Sequence, residues 1–461
     1  MREPNRQRAH NSHCHKTYVY VNIPTILGRI FYQSRVSSSL PRSLTSQIAL
    51  PVGHKGAAQV TMTKIATSRA AWLVLATGFL ILFIGGGARL AIGLTLKPMV
   101  SDLNWTRSDL GVAVFVFQTV TAFAMFYSGR LADRASLKAM LAWGLVVSGA
   151  SIGAMSLVTQ PWHALLLFGI VYAVANGIIS MSPVGVMVTR AFPDRAGFAN
   201  GVASAGMSVG QLVIIAVLAA VLVSIGWRSV FVWVGLAHLL FLPLILYAVP
   251  GKEATARQGP GPVREGMSLT EAMRTRQFWL LIVIYAVCGL NDFFVSTHVV
   301  AFALDRGVST FLAGNLLAFM GIAGLVGVIA AGMWGDKTGP VFGTAASFVA
   351  RIAAFLLVMV DQSQLSVAIF SLVFGITFLV TAPLTVLFIR DSFGLKNMGA
   401  IGGIIVMVHH ICGGFGAWMG AAVFDRNGDY TAAFAVMFAA SLIALVATLF
   451  YKPFKKTLAK S

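Results

Sequence analysis

Of 461 residues, 57% are hydrophobic and only 11% charged, and the mean hydropathy is +0.81. Soluble domains carry about 25% charged residues, so a water-soluble globular fold is excluded. The net charge of +19 does not mark a nucleic-acid binder, because the basic residues sit in loops and tails between apolar runs rather than on one face or in an aromatic-laced patch.

In chain order, residues 1–65 form a basic tail; over 1–61, eight Lys or Arg stand against one acid, Glu3. Met62 opens a short basic lead, MTKIATSR, into the first apolar run. Translation is therefore expected to start near Met62, with an acid-poor organellar transit peptide as the alternative. Apolar runs near or above the ~20 residues that cross a ~30 Å hydrocarbon core follow. They predict helices over 70–97, 108–129, 138–159, 162–190, 197–224 and 228–249, then 277–303, 309–333, 340–360, 364–389, 398–424 and 431–451. Residues 251–276, containing GKEATARQGPGPVREG, read as a flexible linker ending in a short surface helix. The expected organisation is thus an all-α integral membrane protein: a six-helix bundle over 66–250, the linker, a second bundle over 277–451 and a basic tail over 452–461.

Basic residues cluster in the amino-terminal tail, at Arg130, Arg134 and Lys138, in the linker (Lys252, Arg257, Arg264, Arg274, Arg276) and at Lys452, Lys455, Lys456 and Lys460. Basic loops stay on the cytoplasmic side, so both termini are expected inside, in a bacterial inner membrane or a plasma membrane. The chain is expected to be a monomer in the bilayer.

The two halves repeat in register. GRLADR from Gly129 is echoed by GMWGDK from Gly332, with Gly and Asp both matching at an offset of 203, and GWRSVF from Gly226 is echoed by GDYTAAF from Gly428. Duplicated halves of this kind build transporters whose solute site lies between them near the midplane. There is no GKS/T loop, CxxC pair, HExxH or nucleophile elbow, and Cys14, Cys288 and Cys412 are scattered. Enzyme chemistry, a metal site, a cofactor and ATP-driven pumping are therefore not expected.

GRLADRASLKAML between segments 2 and 3, and its second copy GMWGDKTGP between segments 8 and 9, resemble the hallmark loop of the major facilitator superfamily, although Ser136 and Leu137 replace its usual Gly and Arg. The resemblance implies twelve helices in two pseudo-symmetric bundles, with Gly129, Asp133, Arg134, Gly332, Asp336 and Lys337 as a gating loop pair. NWTRSDLG after segment 1, FPDRAGFANGVASAGMSVGQ leading into segment 5, GWRSVF, and FDRNGDYTAAF entering segment 12 resemble the monocarboxylate transporter and oxalate/formate antiporter branch. This implies a carrier of a small organic anion, coupled to protons or a counter-anion. Efflux of an amphipathic or drug-like compound is the alternative; drug/proton antiporters usually carry an Arg in segment 4 and Gly-Pro in segment 5, where this chain has no mid-helix Arg and Gly210-Gln211.

Ionisable groups within a bilayer cost about 2.5–3.5 kcal/mol or more, and few are present: Asp292, Arg89, Arg351, His238, His298, His409 and His410. Arg89 and Asp292 are also 203 positions apart, and the resemblance packs segments 1 and 7 around the pseudo-twofold axis. They are expected to face each other as an exchangeable pair, Arg89 taking a substrate carboxylate and Asp292 a proton. The competing readings are a permanent ion pair or an Arg89 that snorkels to the interface. Arg351 is expected to snorkel in a structural role. Segment 8 lacks a cation, and His409 is expected to supply the missing donor; neighbouring helix positions point about 100° apart, so only one of His409 and His410 faces the cavity squarely. His298 is a proton shuttle or touches water, and His238 is a helix contact. Tyr172, Asn176, Gln118, Gln211 and Asn291 are expected to line the cavity. Gly85, Gly86 and Gly87 either loosen segment 1 or let a neighbouring helix approach closely.

Overall fold

The computed structural model describes residues 69–132, 135–192, 196–251, 266–378, 380–394 and 396–453. The amino-terminal tail, most of the linker and the carboxyl-terminal tail lie outside them. In hydrocarbon every backbone N–H and C=O must find a partner within the protein, which leaves helices or closed barrels. Here the apolar runs are helices: α1 (Arg69–Leu103), α2 (Arg107–Ala132), α3 (Leu137–Leu157), α4 (Pro161–Ala191), α5 (196–225), α6 (227–248), α7 (Arg276–Asp305), α8 (Thr310–Thr338), α9 (Pro340–Val360), α10 (Gln364–Phe393), α11 (Met398–Asn427) and α12 (Thr431–Leu449).

The boundary between α5 and α6 rests on one residue. Residues Phe198–Ala248 are a single apolar run of 51 residues, which as one helix would reach about 75 Å, more than twice the hydrocarbon core. Gly226 adopts φ +74°, a conformation open to glycine, and the chain turns back there. The next residues of GWRSVF pin the turn: Trp227 Nε1 donates to Asp102 at 3.1 Å, and Arg228 donates to the Ser156 carbonyl at 2.7 Å.

The 203-residue register is visible in the packing. A Cβ on Gly86 would lie 2.5 Å from the Met207 carbonyl oxygen of α5, and one on Gly289 would lie 1.8 Å from the His409 carbonyl oxygen of α11. Equivalent glycines thus press α1 onto α5 and α7 onto α11 in the two halves. Gly86 and Gly87 serve close packing, Gly85 makes only an ordinary contact with Asn176, and the helix breaks just beyond them, with Arg89 and Leu90 in a turn between two helical stretches.

The halves meet where α1 packs on α7, with Gly93 against the Ser296 backbone, and along two flanking seams. On one, α2 packs on α11, with Gly414 against Phe115 and Gln118; on the other, α5 packs on α8, with Gly321 against Ser208 and Gln211. One end of the bundle carries Asp305 and the other carries Gly129. Near the end of the linker, the one-turn helix Leu269–Met273 is capped by Ser268 and Glu271, and hydrogen bonds to the backbone N–H and hydroxyl of Ser268 hold the Glu271 carboxyl below its ordinary range.

Candidate substrate and coupling site

The break in α1 sets Arg89 at the boundary between the halves. It borders a cavity of about 10 Å³ whose walls come from both: Gln118 and Phe117 on α2, Phe168 on α4, and Phe293, Ser296 and Thr297 on α7. That is room for about one water. Arg89 Nε is buried and has no hydrogen-bond partner, and among the described residues no ion pair joins Arg89 to any carboxylate. Leaving a buried donor unsatisfied costs about 1–3 kcal/mol, more for a charged group. The arrangement is thus a cation awaiting an acceptor. Tyr172, His409 and His410 lie within its electrostatic reach.

Asp292 is placed differently from its expectation. Its partner is Arg351 on α9, with Nη2 2.7 Å from Oδ1, and not Arg89. The reason is rotational: Asp292 turns into the second bundle, where α9 and α10 pack, while Arg89 opens onto the seam between bundles. Nor does Arg351 snorkel. It is 0% exposed, and its remaining donors are taken: Nε by the Thr377 hydroxyl at 3.1 Å, Nη2 also by the Thr377 carbonyl at 2.9 Å, and Nη1 by the Cys288 carbonyl at 3.4 Å. Its guanidinium lies 4.9 Å from the Phe374 ring centroid. A buried arginine so saturated has nothing left for a solute.

The other carboxylate oxygen of Asp292 accepts from the Cys288 thiol at 3.3 Å and lies 3.9 Å from His409 Nε2. Donor atoms of Cys288, Asp292 and His409 lie within 4.8 Å of one another, but Arg351 already neutralises the one carboxylate among them. His409 therefore stands between the Asp292 pair and Arg89. Its neighbour His410 donates Nδ1–H to the Gln118 amide oxygen at 3.0 Å, tying α11 to α2 across the seam. The second seam has a matching amide: Gln211 donates to the Leu317 carbonyl of α8 at 3.1 Å.

The remaining expected liners divide. Tyr172 is wholly buried in a stack with Phe117 and Phe168, at the end of a π-helical stretch, Leu165–Tyr172, that widens α4. Asn176 sits beside Gly85 of α1. Asn291 is not a liner: it is fully buried and donates to Ser441 of α12 at 2.7 Å, because its place one residue before Asp292 turns it towards the bundle's own outer helix. His238 bonds the Val234 carbonyl of its own helix at 2.8 Å, as a structural helix contact does. Of the loop residues, Gly129 packs against Ser182 and Lys337 is exposed in the last turn of α8. Asp133, Arg134 and the side chains at Gly332 and Asp336 lie outside the described residues.

Sequence reasoning missed a second site, at the Asp305 end. Arg107 of α2 pairs with Asp305 at 2.7 Å, its guanidinium stacks 3.5 Å from the Phe424 ring centroid, and its Nη1 donates to the Tyr430 hydroxyl at 2.5 Å. Lys97 reaches the same Asp305 at 2.8 Å, and Asp425 accepts from the backbone N–H groups of Arg107 and Ser108 at 3.0 and 2.7 Å. The first half supplies the donors and the second half the carboxylates, so this end is closed. The signal lay inside NWTRSDLG and FDRNGDYTAAF, whose charges look like ordinary helix-end charges until the two ends meet.

Two duplicated six-helix bundles with an unsatisfied cation on their seam and an ion-paired closure at one end define a multi-pass membrane transporter. The chain belongs to the Major Facilitator Superfamily, whose pattern matches residues 78–417. Among relatives, the uncharacterized MFS-type transporter YcxA of Bacillus subtilis (strain 168) is 24% identical over 383 residues, 78% of this chain and 90% of YcxA. Monocarboxylate transporter 13 of Rattus norvegicus, from the branch whose motifs this sequence resembles, is 23% identical over 344 residues, covering 74% and 77% of the two chains. Of solved structures, the nucleoside transporter NupG (D323A mutant) superposes with a TM-score of 0.71 at 13% identity, over 82% of this chain and 99% of NupG. That likeness speaks for the fold alone.

Proposed function

We propose that this transporter is a secondary active, proton-coupled carrier of a small monocarboxylate-like organic anion, working by alternating access between its two halves. One observation carries the reading: of the two arginines within the membrane-spanning helices α1 and α9, Arg351 is fully buried and saturated by its own bundle, whereas Arg89 is half-buried and faces the seam with no anionic partner among the described residues. A carboxylate supplies two acceptors to a guanidinium. Gln118, Ser296 and Thr297 stand in the same cavity as further donors.

A proton taken up by Asp292 neutralises the carboxylate, releases Arg351 and removes the negative charge beside His409. Substrate charge on Arg89 and proton charge on Asp292 are then felt on the same pair of helices, α7 and α11, which shift between the two states. By the distribution of basic residues, the Gly129 end and both termini face the cytoplasm and the Asp305 end faces outward.

The aromatic walls, Phe117, Phe168 and Phe293, favour a second reading, efflux of an amphipathic compound. Uptake of labelled short-chain and aromatic carboxylates into proteoliposomes, with and without an imposed pH gradient, separates the two. Carboxylate uptake driven by the gradient and lost in Arg89→Gln supports the proposal. Transport of an organic cation or neutral drug in place of the anions overturns it.

A further inference from the structure

His298 lies near the closed end, two turns before Asp305, and is 2% exposed, so it does not touch bulk water. Both ring nitrogens are engaged: Nε2 is 2.7 Å from the Ala417 carbonyl oxygen of α11, and Nδ1 is 3.1 Å from the Tyr430 hydroxyl at the start of α12. A carbonyl oxygen only accepts, so Nε2 carries a proton. With the ring neutral, Nδ1 accepts from Tyr430. The Tyr430 oxygen in turn accepts from Arg107 Nη1 of the opposite half. The three bonds run one way, from Arg107 through Tyr430 and His298 to Ala417, and each group uses its one correct role.

We infer that His298 is a protonation site that controls opening of the Asp305 end: neutral, it completes the relay that holds Arg107; protonated, it breaks it. A proton on Nδ1 makes the ring a donor at both nitrogens. The phenol oxygen then faces two donors, its own hydrogen loses its acceptor, and an imidazolium stands one residue from the Arg107 guanidinium. The closure loses the contact that joins the halves through Tyr430. The charged and titratable groups facing this point are Arg107 from α2, Lys97 from α1, Asp425 from α11, Tyr430 from α12 and Asp305 on α7 itself. The two carboxylates weaken the closure when they are protonated too, so the test must separate them from the ring. The inference rests on the chain being an alternating-access carrier and not on which solute it carries.

Spin labels at Gln160→Cys and Ser363→Cys report the separation of the halves at this end, because both positions are exposed there on opposite bundles. The protein is placed in lipid nanodiscs without substrate, with Cys14 and Cys412 replaced by alanine, and distances are measured by pulsed electron resonance from about pH 8 to pH 5, the range in which histidine changes charge. The expected result is a rise of roughly tenfold in the long-distance population on acidification, within the ordinary range of a site-to-site coupling. His298→Gln, whose amide offers one donor and one acceptor in fixed roles, is expected to hold the rise to about twofold or less. Tyr430→Phe, which keeps the ring packing but removes the relay oxygen, is expected to be more open at pH 8 and equally flat. A full acid response in both variants assigns the effect to Asp305 and Asp425 and overturns the inference, as does a wild-type protein that does not open on acidification.

Discussion

Arg89 and Asp292 occupy equivalent places in the two halves, 203 positions apart, yet their surroundings are opposite. Around Asp292 the second bundle supplies Arg351, the Cys288 thiol and His409; around Arg89 the described residues of the first bundle supply no counter-ion, and the side chain opens onto the seam. The shared part is the scaffold, seen in Gly86 and Gly289, each pressed against the backbone of the partner helix. The lesson is that duplication preserves where a side chain is presented, while the neighbouring helices decide whether it is already satisfied. A satisfied charge holds the bundle together, and an unsatisfied one is available to a solute.

The largest expected effect falls on the satisfied side. Arg351→Ala leaves the Asp292 carboxylate buried without its cation, which costs about 3–5 kcal/mol; thermal unfolding in detergent should show a large drop, partly restored in the double variant Asp292→Ala with Arg351→Ala. If the double variant is no better than the single one, the pair is not what Arg351 contributes. Next come the two equivalent glycine contacts. Gly86→Val and Gly289→Val each force a side chain into a backbone carbonyl, and overpacking of this kind costs about 1–3 kcal/mol. Similar losses in both sharpen the symmetry, and a loss in one alone breaks it.

A smaller effect is expected at the seam. Gln118→Ala removes the acceptor of His410 and should lower stability by about 1 kcal/mol, with a change in transport rate, because the bond joins moving halves. The smallest loss is expected for Arg89→Gln: among the described residues no carboxylate loses an ionic partner and an unsatisfied buried donor is removed, so the unfolding free energy should stay level or rise by up to about 1–3 kcal/mol while uptake is lost. Arg351 and Arg89 thus make opposite predictions from the same residue type at similar depth.

Much of this was legible in the sequence. Apolar run length placed the helices, because lipid gives the backbone no alternative partner, and the repeated GRLADR and GMWGDK loops set the register that singled out Arg89 and Asp292. The partner of Asp292 was not legible: Arg351 lies on another helix 59 positions further on, and which faces of α7 and α9 meet is a matter of packing. The same holds for Asn291, turned onto Ser441 by one helical step. The closure by Arg107, Asp305 and Asp425 was hidden because charges at helix ends are ordinary next to water, and only the approach of the two halves gives them partners.

The most direct test of an Arg89 anion site is thermal stabilisation of the purified protein by a graded series of monocarboxylates, compared between wild type and Arg89→Gln. A bound ligand at about a hundred times its Kd adds about 2.7 kcal/mol. The predicted result is stabilisation of the wild type by at least one carboxylate and none of Arg89→Gln by the same compound. Equal stabilisation of both proteins would contradict the assignment.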